Sequence, residues 1–472
     1  MESKKQEIKV RMAPSPTGAL HVGTARTALF NFIFAKHTGG KFVMRIEDTD
    51  TERSEEKWEK DIVENLKWLG LSWDEFYRQS ERTEIYKKYI EKLLKEKKAF
   101  YCIHTTDELK EEQRKQNAKK EAPRHVCQYR DRETSPEFIQ KAIIRFKNNS
   151  TGTIGFKDGA KGDINFTAEL LGDFSIAKNV NTPLYNFAVV VDDFEMKITH
   201  VLRGEDHIPN TPKQILLQKA LGFNEPQYLH IPLLLGPDKS KLSKRHGATS
   251  VSKYAEDGYL PDALFNFLAL LGWRPKQDEK EIMASDEIIR EFEVEDIQKS
   301  SAIFDIEKLN WMNGQYLRKL NVDKFTELCV PYLEKAGLIE KNTDIELVKK
   351  IVSLEQPRVK KLKDIIEATE FAFQEPEYDP SLLIWKQMPV DELKNILANL
   401  RDIIVNIDEK SWNKKYIEEV IMPKAEEIGD RGQMLWPLRV ALTGKKASPG
   451  PFEVMEVLGK EKTLKRIEKA IK

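Results

Sequence analysis

One short stretch near the start of the chain limits the possible fold more than any other. It covers residues 14–24, which read PSPTGALHVGT. Residues 8–12 before it alternate like a short strand, residues 25–33 after it carry apolar side chains at helical spacing, and residues 41–46 form a second strand pattern. This order predicts a βαβ unit with Pro, Gly and His in its first turn. Because a helix N-terminus favours anions, the turn is a predicted phosphate site.

The residues of this turn exclude the two commonest phosphate-binding motifs. Gly18 and Gly23 have P-loop spacing, but Thr24 and Ala25 follow, so the phosphate-binding Lys is absent. The three-glycine dinucleotide fingerprint is also missing. What remains is His21 two residues before Gly23, where the glycine allows a nucleotide close to the backbone and the imidazole can donate to phosphate oxygens.

Composition limits the class of protein. A chain of 472 residues predicts two to four domains. Lys plus Arg and Asp plus Glu number 77 each, so a nucleic-acid surface must be a local patch. Three Cys residues indicate a reducing compartment, and we see neither a signal peptide nor a membrane-length apolar run. These features predict a cytoplasmic protein that does not contact membranes.

Two separated blocks carry a resemblance to a known family. Residues 11–18 (RMAPSPTG), 21–25 (HVGTA) and 45–50 (RIEDTD) resemble the opening of the glutamyl and glutaminyl branch of class I aminoacyl-tRNA synthetases, with residues 21–24 in place of their HIGH signature. More than two hundred residues later, residues 236–247 read GPDKSKLSKRHG, and residues 241–245 resemble the KMSKS element of that family. The two signatures occur in the family's order.

The resemblance implies an architecture that is α/β plus all-α. Residues 1–320 are expected to form a Rossmann-like catalytic region. Residues from about 101 to 180 would be an inserted module that in the family grips the acceptor end of tRNA, and residues from about 248 to 320 a helical part. Residues 321–472 show only helical periodicity and would form the anticodon-binding domain. An all-helical tail favours the glutamyl members of bacterial type, because glutaminyl members typically end in β-barrels.

The family chemistry implies that ATP and L-glutamate form glutamyl-adenylate, which is then transferred to the 3′ end of tRNA(Glu). The catalytic candidates are His21, Lys241 and Lys244, because negative charge that builds on the departing pyrophosphate is stabilised by ammonium groups and an imidazole. Gly23 and Glu205 complete the predicted ATP site. Magnesium is expected to arrive bound to ATP, without a dedicated carboxylate cage.

The amino-acid substrate determines which charges its pocket needs. Glutamate presents two carboxylates and one ammonium, so the pocket should offer cations and an anion. Arg11, Arg203 and Glu47 meet that requirement. Correspondence with the family adds three further glutamate-binding candidates, which are Ala13, Ser15 and Tyr185. Val189 stands where some relatives contact the substrate through Asn.

The inserted module contains side chains that could bind a metal ion. Cys102, His104, Cys127 and Tyr129 lie where some bacterial relatives bind zinc through Cys-x-Cys and Cys-x-His pairs. The pattern departs at two of four positions, and phenolate is an uncommon zinc ligand. The sequence therefore favours ordinary buried thiols and no metal, while zinc stays open as the alternative.

Three alternatives to this function concern tRNA. Arg358 matches a position where discriminating members read the third anticodon base, which favours tRNA(Glu) alone. A non-discriminating enzyme would also charge tRNA(Gln), and a glutaminyl enzyme would charge only tRNA(Gln). A catalytically silent tRNA-binding protein is disfavoured by intact His21, Gly23, Lys241 and Lys244. The resemblance implies that the protein is a monomer, as is usual in the family.

Overall fold

The chain forms two compact units. The computed structural model describes residues 7–50, 52–247, 249–276 and 280–472. The first unit runs to Glu256 and resumes over Pro261–Ile306, and the second comprises Asp257–Leu260 and Glu307–Lys472. The sequence predicted a domain boundary between residues 320 and 321, and that boundary remains a prediction.

The first unit combines strands and helices. Its strands are β1 (Lys9–Met12), β2 (Lys41–Ile46), β3 (Glu75–Arg78), β4 (Ala99–Cys102), β5 (Ile143–Phe146), β6 (Thr153–Asp158), β7 (Gly162–Thr167), β8 (Ser175–Asn179), β9 (Thr182–Pro183), β10 (His200–Gly204), β11 (Gln227–Ile231), β12 (Leu234–Leu235) and β13 (Ala302–Ile303). Its helices are α1 (Val22–Thr38), α2 (Glu56–Trp68), α3 (Thr83–Lys95), α4 (Thr106–Ala118), α5 (Pro136–Lys141), α6 (Tyr185–Glu195), α7 (Thr211–Leu221), α8 (Val251–Asp257), α9 (Pro261–Leu270) and α10 (Ser285–Glu291).

Parallel strands form the floor of this unit. Strands β1, β2 and β3 are parallel neighbours, with Arg11 opposite Val43. Strand β10 pairs in parallel with β11, and the backbone N–H of Thr199 donates to the Lys9 carbonyl at 2.9 Å, which brings β10 beside β1. The predicted βαβ unit is confirmed: α1 connects β1 to β2 and ends at Gly39, whose φ of 66° lies in the left-handed region that glycine favours.

An inserted region interrupts the parallel strands. Strands β4, β5, β8 and β9 form an antiparallel sheet, and the β6–β7 hairpin joins the edge of β11. Strand β3 lies between helices α2 and α3. The apolar run 229–235 is divided between two strands, because β11 ends at Ile231 and Pro232 cannot donate to a ladder.

The second unit is built from helices. These are α11 (Ile306–Lys319), α12 (Val322–Lys335), α13 (Ile345–Glu355), α14 (Ile365–Phe373), α15 (Val390–Val405), α16 (Lys414–Glu427), α17 (Gly432–Thr443) and α18 (Pro451–Ile471). Residues 307–472 are all described and contain no strand, so the predicted helical character of the tail is confirmed. Leu397, Leu400, Ile417 and Leu438 are fully buried in its core. In the described parts of the chain, no helix is long and apolar enough to cross a membrane.

The junction between α1 and β2 supplies a test of this packing. A Cβ added at Gly40 would lie 2.3 Å from the Ile8 carbonyl oxygen, which belongs to rigid backbone. We expect Gly40→Ala to lower the free energy of unfolding by about 1–3 kcal/mol through overpacking, measured by urea denaturation. Gly18→Ala is the matched control, because its Cβ would meet nothing within 4 Å. Equal stability of the two variants would contradict the packing described at this junction.

Candidate functional site

A cavity of about 430 Å³ lies in the first unit, beside the end of β1 and the N-terminus of α1. The turn before α1, the end of β10 and the segment after β11 complete its wall. Nine residues that the sequence singled out line it, namely Arg11, Ala13, Ser15, His21, Gly23, Glu47, Tyr185, Arg203 and Lys241. Side chains that are up to 230 positions apart in the chain therefore share one space.

His21 is the N-cap residue of α1 and faces this cavity as a neutral donor. Its Nδ1 accepts a hydrogen bond from the Gly23 backbone N–H at 3.0 Å. Burial, with a smaller contribution from Lys241, lowers the pKa of His21. The neutral imidazole therefore carries its proton on Nε2, the atom that can donate to an anion. A Cβ at Gly23 would lie 3.3 Å from His21 Nδ1, so this glycine also leaves room for the ring.

Backbone hydrogen bonds join the first signature segment to the residues that follow the second. Val22 N–H donates to the Thr249 carbonyl at 2.8 Å, and Val251 N–H donates to the Leu20 carbonyl at 2.9 Å. The loop between β12 and α8 thus returns to the first turn and brings Lys241 to the cavity. Lys241 Nζ lies 3.5 Å from Asp206 Oδ2 and is largely exposed. Lys244 belongs to a 3₁₀ turn, Lys244–His246, but its side chain lies outside the described residues, so its predicted role stays a prediction.

The other part of the cavity concentrates charge. Arg11 Nε donates to Asp193 Oδ1 at 3.1 Å, and Glu47 Oε1 accepts from Arg45 Nη2 at 3.1 Å. Burial raises the pKa of Glu47 although Arg45 and Arg11 oppose that shift. Burial likewise lowers the pKa of Arg203. Both shifts mean that the charged forms lack full compensation, so a ligand with opposite charges would be stabilised here.

Tyr185 contributes a neutral polar group to the same space. Its hydroxyl lies 2.9 Å from His207 Nδ1. Burial raises the pKa of Tyr185 to about 12, and burial together with Arg203 lowers the pKa of His207 to about 4. Val189 on α6 is buried and is not among the lining residues.

Apart from Lys244, whose side chain is not described, two predicted site residues lie outside the cavity lining. Glu205 binds Lys161 Nζ at 2.6 Å and accepts the Leu233 N–H at 2.8 Å, so both carboxylate oxygens are engaged. Its predicted contact with the ATP ribose stays a prediction. Arg358 lies in the second unit after α13, partly exposed, with Nε 3.4 Å from Glu355 Oε2.

The sequence did not identify the buried partners of these groups. Asp193 holds both Arg11 and Arg45, and its Arg45 contact measures 2.7 Å. The available signal was the pair Asp192-Asp193 inside an otherwise apolar helix, where unpaired carboxylates would be costly. Such a pair predicts buried cations nearby, but the sequence alone does not say which cations.

A separate cluster of thiols and imidazoles lies in the inserted region. The donor atoms of Cys102, His104, His125 and Cys127 all lie within 4.8 Å of one another. The fourth residue of this cluster is His125, whereas the zinc alternative considered from the sequence had Tyr129 in that position. The Tyr129 ring instead packs against His104, with 4.9 Å between the ring centroids.

The geometry of this cluster fits zinc. Tetrahedral zinc holds sulfur and nitrogen ligands about 3.6 Å apart. Here Cys102 Sγ lies 3.3 Å and Cys127 Sγ 3.5 Å from His104 Nδ1, and Cys102 Sγ lies 3.9 Å from His125 Nε2. His125 Nδ1 lies 2.6 Å from Glu112 Oε2, the carboxylate contact that commonly orients a zinc-bound imidazole.

Comparisons with known proteins agree with this geometry. The family described as tRNA synthetases class I (E and Q), catalytic domain, matches residues 7–311, and an anticodon binding domain matches residues 324–471. A protein named glutamate–tRNA ligase 2 from Thermoanaerobacter pseudethanolicus is 45% identical over 98% of both chains. Glutamate–tRNA ligase 1 from Caldanaerobacter subterraneus is 45% identical over 99% of this chain and 98% of its own.

Two solved structures share the whole architecture. A glutamate tRNA ligase from Elizabethkingia meningosepticum in complex with its amino acid superposes with a TM-score of 0.86 at 36% identity, covering 99% of each chain. The glutamate-tRNA synthetase from Elizabethkingia anophelis gives a TM-score of 0.85 at 35% identity, covering 99% of this chain and 100% of its own.

The cluster yields a prediction that is independent of catalysis. We expect the purified protein to retain about one zinc ion per chain after dialysis, measured by elemental analysis. His125→Ala should lose the metal and Tyr129→Phe should keep it, because the fourth donor atom of the cluster is a ring nitrogen of His125. Glu112→Gln should weaken zinc affinity about 10–100-fold. Cys329→Ser, which removes a buried thiol of the second unit, is the control. Zinc loss in Tyr129→Phe with retention in His125→Ala would contradict the assignment.

Proposed function

The chain belongs to the class I tRNA synthetases of the E and Q type, and from that premise we propose that it ligates L-glutamate to the 3′ end of tRNA(Glu) through glutamyl-adenylate. One observation carries the proposal. A single cavity combines the guanidinium groups of Arg11 and Arg203 and the carboxylate of Glu47. It also holds the imidazole of His21 and the ammonium of Lys241. The first set matches the charges of glutamate, and the second set suits the phosphates of ATP.

Glutamate binding would rely on charge complementarity. Arg11 and Arg203 would bind the carboxylates, and Glu47 would bind the ammonium. The uncompensated burial of Glu47 and Arg203 supports this, because each gains a partner of opposite charge when glutamate enters. Ala13, Ser15 and Tyr185 would shape the remaining wall of the pocket.

The enzyme would act mainly by positioning and by charge stabilisation. An α-carboxylate oxygen of glutamate attacks the α-phosphorus of ATP, and the bond to the bridging oxygen breaks as pyrophosphate leaves. His21 Nε2–H and the ammonium groups of Lys241 and Lys244 would stabilise the growing negative charge. A terminal hydroxyl of tRNA then attacks the activated carbonyl, and AMP leaves. Magnesium would arrive with ATP and neutralise phosphate charge.

The helical second unit supports tRNA(Glu) as the partner. Residues 324–471 match an anticodon binding domain, and the four relatives reported above are all named for glutamate. We assign Arg358 to anticodon reading, which would restrict charging to tRNA(Glu). We also propose that the enzyme works as a monomer and that protein synthesis in the cytoplasm uses its product.

Pyrophosphate exchange tests the reaction. We expect glutamate-dependent exchange between ATP and pyrophosphate that needs tRNA, and Lys241→Ala should slow it about a hundredfold by removing charge stabilisation. Lys239→Ala removes the same charge from the same loop but from a residue that does not line the cavity, so it should change little. Exchange with glutamine alone would identify a glutaminyl enzyme, and no exchange with either would indicate a silent tRNA-binding protein.

Charging of purified tRNAs tests the anticodon assignment. The wild-type enzyme should charge tRNA(Glu) and leave tRNA(Gln) uncharged. Arg358→Gln should reduce the preference at least about tenfold, as expected for one lost base contact. Lys360→Gln removes a neighbouring cation and should weaken the binding of both tRNAs to a similar extent. If the wild-type enzyme charges both tRNAs equally, it is non-discriminating and the role given to Arg358 is wrong.

A further inference from the structure

A buried chain of three side chains ends at Arg203. His230 on β11 lies beside Arg203 on β10, and Arg203 Nε donates to His230 Nε2 at 3.1 Å. On the opposite side of the ring, His230 Nδ1 lies 2.6 Å from Asp158 Oδ2. His230 is 0% and Asp158 2% exposed, so neither side chain reaches solvent.

Asp158 is held firmly enough to orient the imidazole. It ends β6, and its Oδ1 accepts the backbone N–H groups of Ala160 at 3.0 Å and Lys161 at 2.9 Å. Its Oδ2 also accepts the His230 backbone N–H at 3.1 Å. Burial acts to raise the pKa of Asp158, but the hydrogen bonds from His230 and the backbone outweigh burial and lower it. Asp158 is therefore a fixed carboxylate.

These contacts determine which nitrogen of His230 carries the proton. Burial, opposed by Asp158 and aided by Arg203, lowers the pKa of His230, so the ring is neutral. Arg203 has only hydrogens to donate, which makes Nε2 the acceptor and Nδ1 the donor to Asp158. Thr211 completes the arrangement: its hydroxyl accepts from Arg203 Nη2 at 2.8 Å and lies 3.2 Å from His230 Nε2.

The arrangement leaves one part of the guanidinium for a ligand. Nε and Nη2 of Arg203 are bound to His230 and Thr211, whereas Nη1 has no acceptor among the residues that the structure describes. Arg203 also lines the cavity. A guanidinium held along one edge keeps a single orientation, which reduces the entropy lost when a carboxylate binds.

We propose that Asp158 and His230 are positioning residues: Asp158 selects the His230 tautomer whose Nε2 accepts from Arg203, and His230 thereby orients Arg203 toward the glutamate carboxylate. This inference rests on the proposed function. It also ties the inserted region to catalysis, because Asp158 belongs to the β6–β7 hairpin. The same hairpin carries Lys161, which binds Glu205.

Two substitutions at one position separate orientation from simple packing. In His230→Gln the side-chain oxygen can replace Nε2 as acceptor for Arg203, whereas the shorter His230→Asn keeps a donor near Asp158 and loses that acceptor. We expect His230→Asn to raise the KM for glutamate roughly ten- to a hundredfold, as for a lost buried hydrogen bond to a charged group. His230→Gln should restore most of the affinity. The KM for ATP should stay within about twofold in both variants.

Asp158→Asn tests the tautomer. Once an amide replaces the Asp158 carboxylate, the proton of His230 need no longer be on Nδ1 and can move to Nε2. An Nε2–H would face the Arg203 Nε–H, so the hydrogen bond between the two side chains would be lost. We expect the KM for glutamate to rise as in His230→Asn. His200→Asn, at the start of β10 and without contact to Arg203, is the control for replacing a histidine here.

The possible outcomes distinguish a failure of this inference from a failure of the proposed function on which it rests. No glutamate-dependent exchange in the wild-type enzyme would overturn the proposed function itself. Normal wild-type exchange, with equal KM values for glutamate in His230→Asn and His230→Gln, would overturn the positioning role alone. The same follows if the KM values for glutamate and ATP rise together with a fall in thermal stability, because that pattern is the signature of general packing loss. If a His230 variant fails to fold, the KM for glutamate of the Asp158→Asn variant tests the positioning role independently.

Discussion

The architecture of the cavity depends on a guanidinium buried without access to water. Arg45 on β2 is 0% exposed, and its charge is balanced by Asp193 at 2.7 Å, Glu47 at 3.1 Å and Asp192 at 3.7 Å. A buried charge that loses its partner costs several kcal/mol, about 3–5 in measured cases. Strand β2 and helix α6 must therefore meet with these side chains aligned. Asp192 is held in turn by Gln79, Arg82 and Tyr86, each at 2.7–2.8 Å.

This network orients the charged groups that face the cavity. Asp193 shares its carboxylate between Arg45 and Arg11, and Arg45 also fixes Glu47. Arg11 and Glu47 thus keep their positions through partners that are themselves buried. Preorganised charges lose little free energy to rearrangement when a ligand binds, and they act strongly where water is excluded. The residues that a ligand would touch are few, but the residues that hold them extend through β2, α3 and α6.

Local sequence patterns predicted the features of the structure that depend on residues close together in the chain. Alternation and helical spacing predicted β1, α1, β2 and the helices of the tail, and charge type singled out Arg11, Glu47 and Arg203. The partners Asp193, Thr211 and His230 could not be found in this way, because each lies on a different element from its arginine and meets it only through tertiary packing. The cluster illustrates the same limit. The sequence pattern drew attention to Tyr129, whereas the structure places His125 in the cluster, beside Glu112 of another element.

Two buried carboxylates organise the inserted region. Asp173 holds its parts together: it accepts the N–H groups of Cys127 at 3.1 Å and Asn148 at 3.0 Å, and its own N–H donates to the His125 carbonyl at 2.7 Å. Asp158 connects the region to the catalytic sheet, where β6 meets β11 opposite Tyr228. A displacement of the β6–β7 hairpin therefore cannot occur without disturbing the hydrogen bonds of His230, because Asp158 accepts from both its backbone and its ring.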